Sequence, residues 1–329
     1  MPRDKPEQTP PIDAVSTQDV SLTRRQQEIL SYCEALVGIH LEMTSGKGQK
    51  SPIKPRLAPL LAAPTGSGKT ALVQKLGESI GASYLRVQRG DFYPQGTNRD
   101  VPTIFSIINR ALMTTGPVLL HLDELDKYTY GDNPAPVQEW SASCYSDLFL
   151  VLDRAWPFDA YCRSEHRCKR GNAEVPLEQI KAATDRVFVV GSGTWQTLFD
   201  SARKRSNFGF NIEKKSQDQS LTSEEISNSG IIAQELLMRF HSDVQLMPYP
   251  DQDEILGFLK STGIQALADR VGYHITDYDI EFDRGGFRVL ETLYTKLLVM
   301  EKRREISRNQ QSSLPGLSSD RTSRRVAIY

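Results

Sequence analysis

The sequence predicts an α/β protein in which a parallel sheet with flanking helices is followed by a smaller, mostly helical domain. Three observations lead to this prediction. Short apolar stretches rich in β-branched residues alternate with amphipathic stretches of helical period. A glycine-rich loop joins one of these strands to a helix at residues 61–72. Beyond residue 249 the pattern is helical, apart from the ambiguous stretch 273–282.

The first element is an amphipathic helix from Leu22 to about Met43. Its inward face is predicted from the helical spacing of Ile29, Leu30, Cys33, Leu36, Val37 and His40. Glycine and proline then break the pattern. The elements that follow are, in order, strand 57–64, helix 71–82, strand 83–88, helix 103–116, a strand within 117–127 that ends in acids, and strand 186–195. Strands that alternate with helices in this way favour a parallel sheet covered on both faces.

With 329 residues, the chain is long enough for two cores. We expect four segments. Residues 1–19 are rich in proline and polar residues and predict a disordered leader. Residues 20–248 form the large domain and 249–306 the small helical domain, and the Ser/Arg-rich stretch 307–329 predicts a disordered tail.

The overall charge identifies no partner, because 40 basic residues nearly balance 41 acidic ones. The sequence contains no signal-peptide pattern and no apolar run of about 18 residues, so we expect a cytoplasmic protein without a membrane partner. Four cysteines in so long a chain do not form a disulfide framework. The alternative of a metal site made by Cys144, Cys162, His166 and Cys168 has a spacing unlike zinc knuckles, and loop residues are the simpler interpretation.

The glycine-rich loop, LAAPTGSGKTAL at residues 61–72, is typical of a phosphate-binding loop. Its glycines allow backbone N–H groups to face phosphates, its lysine reaches the β and γ oxygens, and the hydroxyl after the lysine binds Mg²⁺. Ala63 replaces the first glycine of the usual pattern, which is tolerable at negative φ. The predicted nucleotide contacts are Pro64, Thr65, Gly66, Ser67, Gly68, Lys69, Thr70 and Ala71.

A pair of acids ends the apolar strand some fifty residues after the loop. Hydrolysis of a phosphoanhydride needs a carboxylate near Mg²⁺ and a second group that orients the attacking water. Asp123 fits the first role, together with Thr70 as a magnesium ligand, and Glu124 fits the second. The two motifs together predict ATP hydrolysis with ATP and Mg²⁺ as the bound groups.

Four segments resemble AAA+ ATPases, in particular the ClpX and HslU protein unfoldases. LLHLDELDK (119–127) is similar to the Walker B strand of that clade, and VFVVGSGTWQ (187–196) to its sensor-1 strand. The resemblance implies that Ser192 is the polar sensor-1 residue that detects the γ-phosphate. QELLMRFHSDVQLMPY (234–249) resembles the segment that ends in the arginine finger, which implies that Arg239 acts on the ATP of a neighbouring subunit. GGFRVLETLYTKLL (285–298) resembles the sensor-2 helix, which implies that Arg288 is the sensor-2 arginine. An arginine supplied by another chain implies a ring of identical subunits, expected to be a hexamer.

The resemblance extends to loops that handle polypeptides in the unfoldases. In RGDFYPQGTNRDV (89–101), Tyr93 is the candidate pore-loop aromatic and Phe92 the second candidate. The segment Phe208-Gly209-Phe210 is similar in shape to the loop that docks on a barrel peptidase. The basic cluster at 162–171 lies where ClpX has its entry loop. Three interpretations stay open: it binds acidic tags, it binds nucleic acid, or it is only a solvated surface. The ClpX zinc-binding domain and the long intermediate domain of HslU have no counterpart here.

The resemblance therefore implies a ring motor that unfolds, translocates or disassembles protein substrates, with a partner peptidase as an option. A nucleic-acid-associated AAA+ ATPase, such as a loader or nucleoprotein remodeller, is the alternative, because the C-terminal stretch contains basic residues. A nucleotide-regulated binding switch with little turnover is the third interpretation.

Overall fold

The computed structural model describes residues 22–46, 55–92, 101–127, 146–170, 173–207, 221–276 and 286–312. The chain divides into two compact units. The first is Leu22–Asp251, and the second contains the described residues from Gln252 onwards.

The strands found in the described ranges belong to the first unit. They are β1 Leu60–Ala62, β2 Ser83–Val87, β3 Val118–Leu122, β4 Lys169–Arg170, β5 Ala173–Glu174, β6 Val187–Gly193 and β7 Gln245–Leu246. Five of them form a parallel sheet in the order β2-β3-β6-β1-β7, and β4 and β5 pair as a short antiparallel ribbon. In the register of the sheet, Leu61 lies opposite Ser192, and Gly191 lies opposite Leu122.

Helices connect the strands. The helices of the first unit are α1 Arg24–Thr44, α2 Lys69–Ser79, α3 Arg89–Phe92, α4 Thr103–Met113, α5 at 146–152, α6 Phe158–Arg163, α7 Leu177–Thr184, α8 Gln196–Asn207, α9 Ser223–Asn228 and α10 Gln234–Leu237. Helix α1 begins with a capping box in which the Thr23 hydroxyl accepts from the Gln26 N–H and the Gln26 side chain accepts from the Thr23 N–H.

Successive side chains of the central strands point to opposite faces of the sheet, which produces two cores, one on each face. In β3, Leu119 packs into a cluster with residues of α1 and α2. Val118, Leu120 and Leu122 pack on the opposite face, in a cluster that includes residues of α4. Packing on both faces explains why the strand is apolar almost throughout, as in parallel sheets covered on both sides.

The second unit consists of helices in its described residues: α11 Gln252–Ser261, α12 Ile264–Arg270 and α13 Arg288–Ser312. Their apolar faces share a small core that includes Ile255, Leu267 and Leu297. Helix α13 continues to Ser312, beyond residue 306, where the sequence pattern suggested that the ordered domain ends. None of the helices in the described ranges is long and apolar enough to cross a membrane.

The predicted α/β architecture is confirmed. The strands expected at 57–64, 83–88, within 117–127 and at 186–195 are β1, β2, β3 and β6, and all four belong to one parallel sheet. Residues 1–21 and 313–329, which the sequence assigns to a leader and to most of a tail, lie outside the described residues.

Candidate functional site

The phosphate-loop sequence connects the end of β1 to the start of α2. Gly66 and Gly68 have φ angles of 82° and 86°, the left-handed region in which a side chain would be strained. Ala63, at the position of the usual first glycine, is buried, and its N–H donates to the Gly193 carbonyl at 3.2 Å. Alanine is tolerated there because the residue continues the pairing of β1 with β6.

The side chain of Lys69 spans this loop. Its Nζ donates to the carbonyls of Ala63 and Pro64 at 2.7 Å and 3.1 Å. Lys69 is also the first residue of the 11-residue helix α2, so its ammonium group, the loop amides and the helix N-terminus are concentrated in one place. The half-buried Thr70 follows it. This group of donors fits the phosphates of a nucleotide.

Two glutamines hold the loop from opposite sides, and the sequence interpretation missed both. The buried Gln26 of α1 donates from Nε2 to the Ser67 carbonyl at 3.0 Å. Gln196, at the start of α8, accepts from the Thr65 N–H at 2.9 Å. The helical spacing of Gln26 with Ile29 was the available signal, since it places this polar residue on the buried face of α1.

Asp123 lies directly after β3, at the same edge of the sheet as the loop. Strand β6 separates β1 from β3, so the two features are about 10 Å apart at ordinary strand spacing. Asp123 Oδ1 accepts from the Ser192 hydroxyl at 2.7 Å and from the Glu124 N–H at 2.9 Å. Asp123 Oδ2 accepts from Arg86 Nε at 2.8 Å. These contacts fix the carboxylate on both oxygens.

The same contacts keep Asp123 ionised. Burial alone would raise its pKa, but the hydrogen bond from Ser192 and the Arg86 guanidinium lower the pKa below its usual value. An ionised carboxylate and the Thr70 hydroxyl are oxygen ligands of the kind that Mg²⁺ prefers, with phosphate oxygens completing the shell. The residues at this edge therefore fit Mg²⁺ together with a nucleotide.

Glu124 has an unusual backbone conformation. Its φ of 58° lies in the left-handed region, which costs a non-glycine residue about 1–3 kcal/mol. The Glu124 N–H bonds to Asp123, and its carboxylate pairs with Lys127 Nζ at 2.7 Å. The side chain is 37% exposed, so solvent reaches its carboxylate.

Arg239 lies at the opposite edge of the sheet. Its Nε pairs with Asp153 at 2.9 Å, and its guanidinium stacks on Phe149 with 3.8 Å between Cζ and the ring centroid. A cavity of about 780 Å³ beside it is lined by residues at the amino ends of β1 and β6, among them Ala58 and Phe188. The loop and Asp123 lie at the carboxyl ends of the strands, so Arg239 is remote from the loop of its own chain.

The other candidate residues fall in three groups. Arg288 is an exposed residue at the start of α13 in the second unit. Phe92 is buried at 7% exposure in the core of the first unit, which argues against a gripping role for it. Tyr93, Phe208, Gly209 and Phe210 lie outside the described residues.

The alternative of a Cys/His metal site receives no support from the part of the chain that the structure describes. Within these ranges no group of three or more His, Cys, Asp and Glu side chains could hold a metal ion. Cys162 lies in α6 rather than in a loop, and both Cys162 and Cys168 pack against the apolar core. Cys144 lies outside the described residues.

A known family matches this chain over the residues that form the site. Residues 59–215 match the model of the family described as the ATPase family associated with various cellular activities (AAA). The chain is also similar to the AAA domain of FIGL-1, whose crystal structure is a complex with ADP, with 12% sequence identity and a TM-score of 0.43. That alignment covers 82% of this chain, and the chain spans only 65% of the FIGL-1 chain. The family match contains the loop, Asp123 and Ser192, so this part of the chain is similar to AAA ATPases, and its parallel sheet with flanking helices is consistent with the P-loop NTPase fold.

Proposed function

We propose that this chain binds ATP with Mg²⁺ at the loop between β1 and α2 and hydrolyses it. The observation that carries the proposal is the meeting of the Lys69 loop with Asp123 and Glu124 at one edge of the sheet. Lys69 and the loop amides bind the β- and γ-phosphates, while Thr70 and Asp123 hold the metal. When bound, Mg²⁺ neutralises the charge that develops on the transferred phosphoryl group.

Glu124 orients the attacking water in this proposal. Its carboxylate is accessible and its backbone is fixed by the hydrogen bond to Asp123, so the side chain can accept a hydrogen bond from water beside the γ-phosphate. Lys127 pairs with Oε1 of this carboxylate at 2.7 Å and restricts its rotation. Hydrolysis thus requires Glu124, whereas binding does not.

The test is substitution of Glu124 by glutamine. Glu124→Gln should bind ATP with Mg²⁺ as the unaltered protein does, and its turnover should fall roughly a hundredfold or more. Glu178→Gln is the matched control, because Glu178 is an exposed acid on α7 that pairs with Lys181. Normal hydrolysis by Glu124→Gln would show that Glu124 does not act on the water.

We further propose that the protein works as a ring, expected to be a hexamer. The position of Arg239 supports this, because a guanidinium at the amino ends of the strands cannot serve the nucleotide at their carboxyl ends. Arg239 would therefore stabilise the transition state in a neighbouring copy. Asp153 and Phe149 hold the side chain and reduce the entropy lost when it engages. Arg288 is proposed as the sensor-2 arginine.

The proposed work of the ring is to unfold, translocate or disassemble protein substrates, with Tyr93 in the pore and Phe208–Phe210 on a barrel peptidase. The resemblance to ClpX and HslU supports this step. We expect an unfolded protein to stimulate ATP hydrolysis, and Tyr93→Ala to remove the stimulation while the basal rate is unchanged. Stimulation by DNA that falls steeply with added salt would instead favour a nucleic-acid-associated ATPase.

A further inference from the structure

A chain of hydrogen-bonded side chains, half-buried at Tyr84 and fully buried at His121 and Ser192, runs behind Asp123 across three neighbouring strands. The Tyr84 hydroxyl on β2 lies 2.7 Å from Nδ1 of His121 on β3. Nε2 of His121 lies 2.8 Å from the Ser192 hydroxyl on β6, and that hydroxyl lies 2.7 Å from Asp123 Oδ1. Because His121 and Ser192 are fully buried, their polar atoms must be satisfied by other protein groups.

The carboxylate at the end fixes the position of every proton along this chain. An ionised Asp123 only accepts, so the single hydroxyl proton of Ser192 is donated to Asp123. The Ser192 oxygen must then accept from His121, which therefore carries its proton on Nε2. Nδ1 of His121 is left as an acceptor, and the Tyr84 hydroxyl donates to it. The opposite order would place the Ser192 lone pairs against Asp123 at 2.7 Å.

We propose that Tyr84 and His121 are positioning residues of the nucleotide site, which keep the Ser192 proton directed at Asp123. This rests on the proposed function, in which Asp123 holds Mg²⁺. The only proton of the Ser192 hydroxyl is donated to Asp123, so Ser192 acts through the metal-binding carboxylate and not by donating to the γ-phosphate. This differs from the role that the family resemblance implies for Ser192.

The first test needs no nucleotide. The ¹⁵N NMR spectrum of the protein labelled at its five histidines should show His121 as the neutral tautomer with the proton on Nε2. His121→Gln assigns the signal by its loss. Tyr84→Phe should shift the Nδ1 resonance, because it removes the donor, whereas Tyr161→Phe should not. Tyr161 is the control, since it is a tyrosine of the same unit whose hydroxyl also makes hydrogen bonds, and it is more buried than Tyr84. A proton on Nδ1 of His121 would overturn the proposal.

The second test measures ATP affinity with Mg²⁺ and with EDTA. Tyr84→Phe and Ser192→Ala should each reduce the gain in affinity that Mg²⁺ gives, by roughly fivefold, and leave affinity in EDTA unchanged. Tyr84→Phe should have no further effect in the Ser192→Ala background, because Tyr84 acts through Ser192. Equal effects in both backgrounds, or a Ser192→Ala variant that loses only turnover, would overturn the proposal. Absence of ATP binding by the unaltered protein would instead contradict the proposed function, and the tautomer measurement would still decide the hydrogen-bond chain.

Discussion

The side-chain amide of Gln26, at the start of α1, donates a hydrogen bond to the main-chain carbonyl of Ser67 in the phosphate loop, at 3.0 Å. The two residues are 41 positions apart in the sequence, so this contact fixes the loop to a helix that precedes the sheet. The Gln26 oxygen is used in the capping box of α1. One side chain therefore begins the helix and shapes the loop.

Gln26→Glu should weaken ATP binding by roughly tenfold or more. The carboxylate retains the acceptor that caps α1, but it leaves the buried Ser67 carbonyl without its donor and adds negative charge near the phosphates. Calorimetric titration with ATP and Mg²⁺ measures the change. Gln27→Glu is the matched control, because Gln27 is exposed and adjacent. Equal affinities for the two variants would show that the Gln26 contact does not shape the site.

Arg239 should act on the nucleotide of a neighbouring copy. Lys69→Ala loses the phosphate-binding ammonium but keeps Arg239, and Arg239→Ala keeps the loop but loses the guanidinium. Each variant alone should hydrolyse ATP slowly. The rate of a mixture should exceed both rates by about tenfold or more, because some interfaces between the two variants combine an intact loop from one subunit with an intact arginine from its neighbour. Steady-state hydrolysis measures this.

The matched control for the mixture is Arg239→Ala combined with the double variant Lys69→Ala/Arg239→Ala. This second mixture has intact loops but no arginine to supply, so its rate should stay low. If the first mixture gives only the average of its two components, Arg239 does not act between subunits.

The stability of the protein should fall as the pH decreases from about 7.5 to about 5. Burial, followed by the nearby Arg154 guanidinium, lowers the pKa of His40 from 6.5 to about 4, although a hydrogen bond to the Asp185 carbonyl opposes the change. The unfolded chain therefore binds a proton in this range that the folded chain does not. The free energy of unfolding should decrease by about 2 kcal/mol from this residue alone.

Urea unfolding at several pH values tests this. His40→Gln should be less stable near neutral pH but should lose less stability on acidification, with the remaining slope due to other groups such as His121, whose pKa burial also lowers to about 4. His274→Gln removes an exposed histidine and controls for the substitution itself. An unchanged slope in His40→Gln would contradict the assignment.

The sequence predicted the parts of the molecule that local patterns encode. The alternation of strands and helices predicted the sheet, and the spacing from Gly66 to Thr70 predicted a phosphate-binding loop, whose two glycines the structure places in the left-handed region. Apolar runs ending in polar residues placed Asp123 and Ser192 at strand ends, and the parallel sheet brings them within 2.7 Å of each other. The strand patterns and the loop spacing depend on residues close together in the chain, whereas the contact between Asp123 and Ser192 follows from the parallel sheet.

The parts that were missed depend on contacts between distant residues. Gln196 and Thr65 form a hydrogen bond although they are 131 positions apart in the sequence, and Arg86 and Asp123 do so over 37 positions. No sequence motif predicts either contact. Strand β7 has only two residues, too few for a periodic pattern. Phe92 was interpreted as a second candidate for the pore, but residue order alone did not reveal that it packs into the core.

The binding of ATP to the purified protein, titrated with and without Mg²⁺, tests the central claim most directly. We predict saturable binding that Mg²⁺ strengthens and that Lys69→Ala weakens by roughly tenfold to a hundredfold, because the ammonium of Lys69 lies over the loop. Lys75→Ala, on the same helix, should bind as the unaltered protein does. Failure of the unaltered protein to bind ATP, or equal binding by Lys69→Ala, would contradict the account.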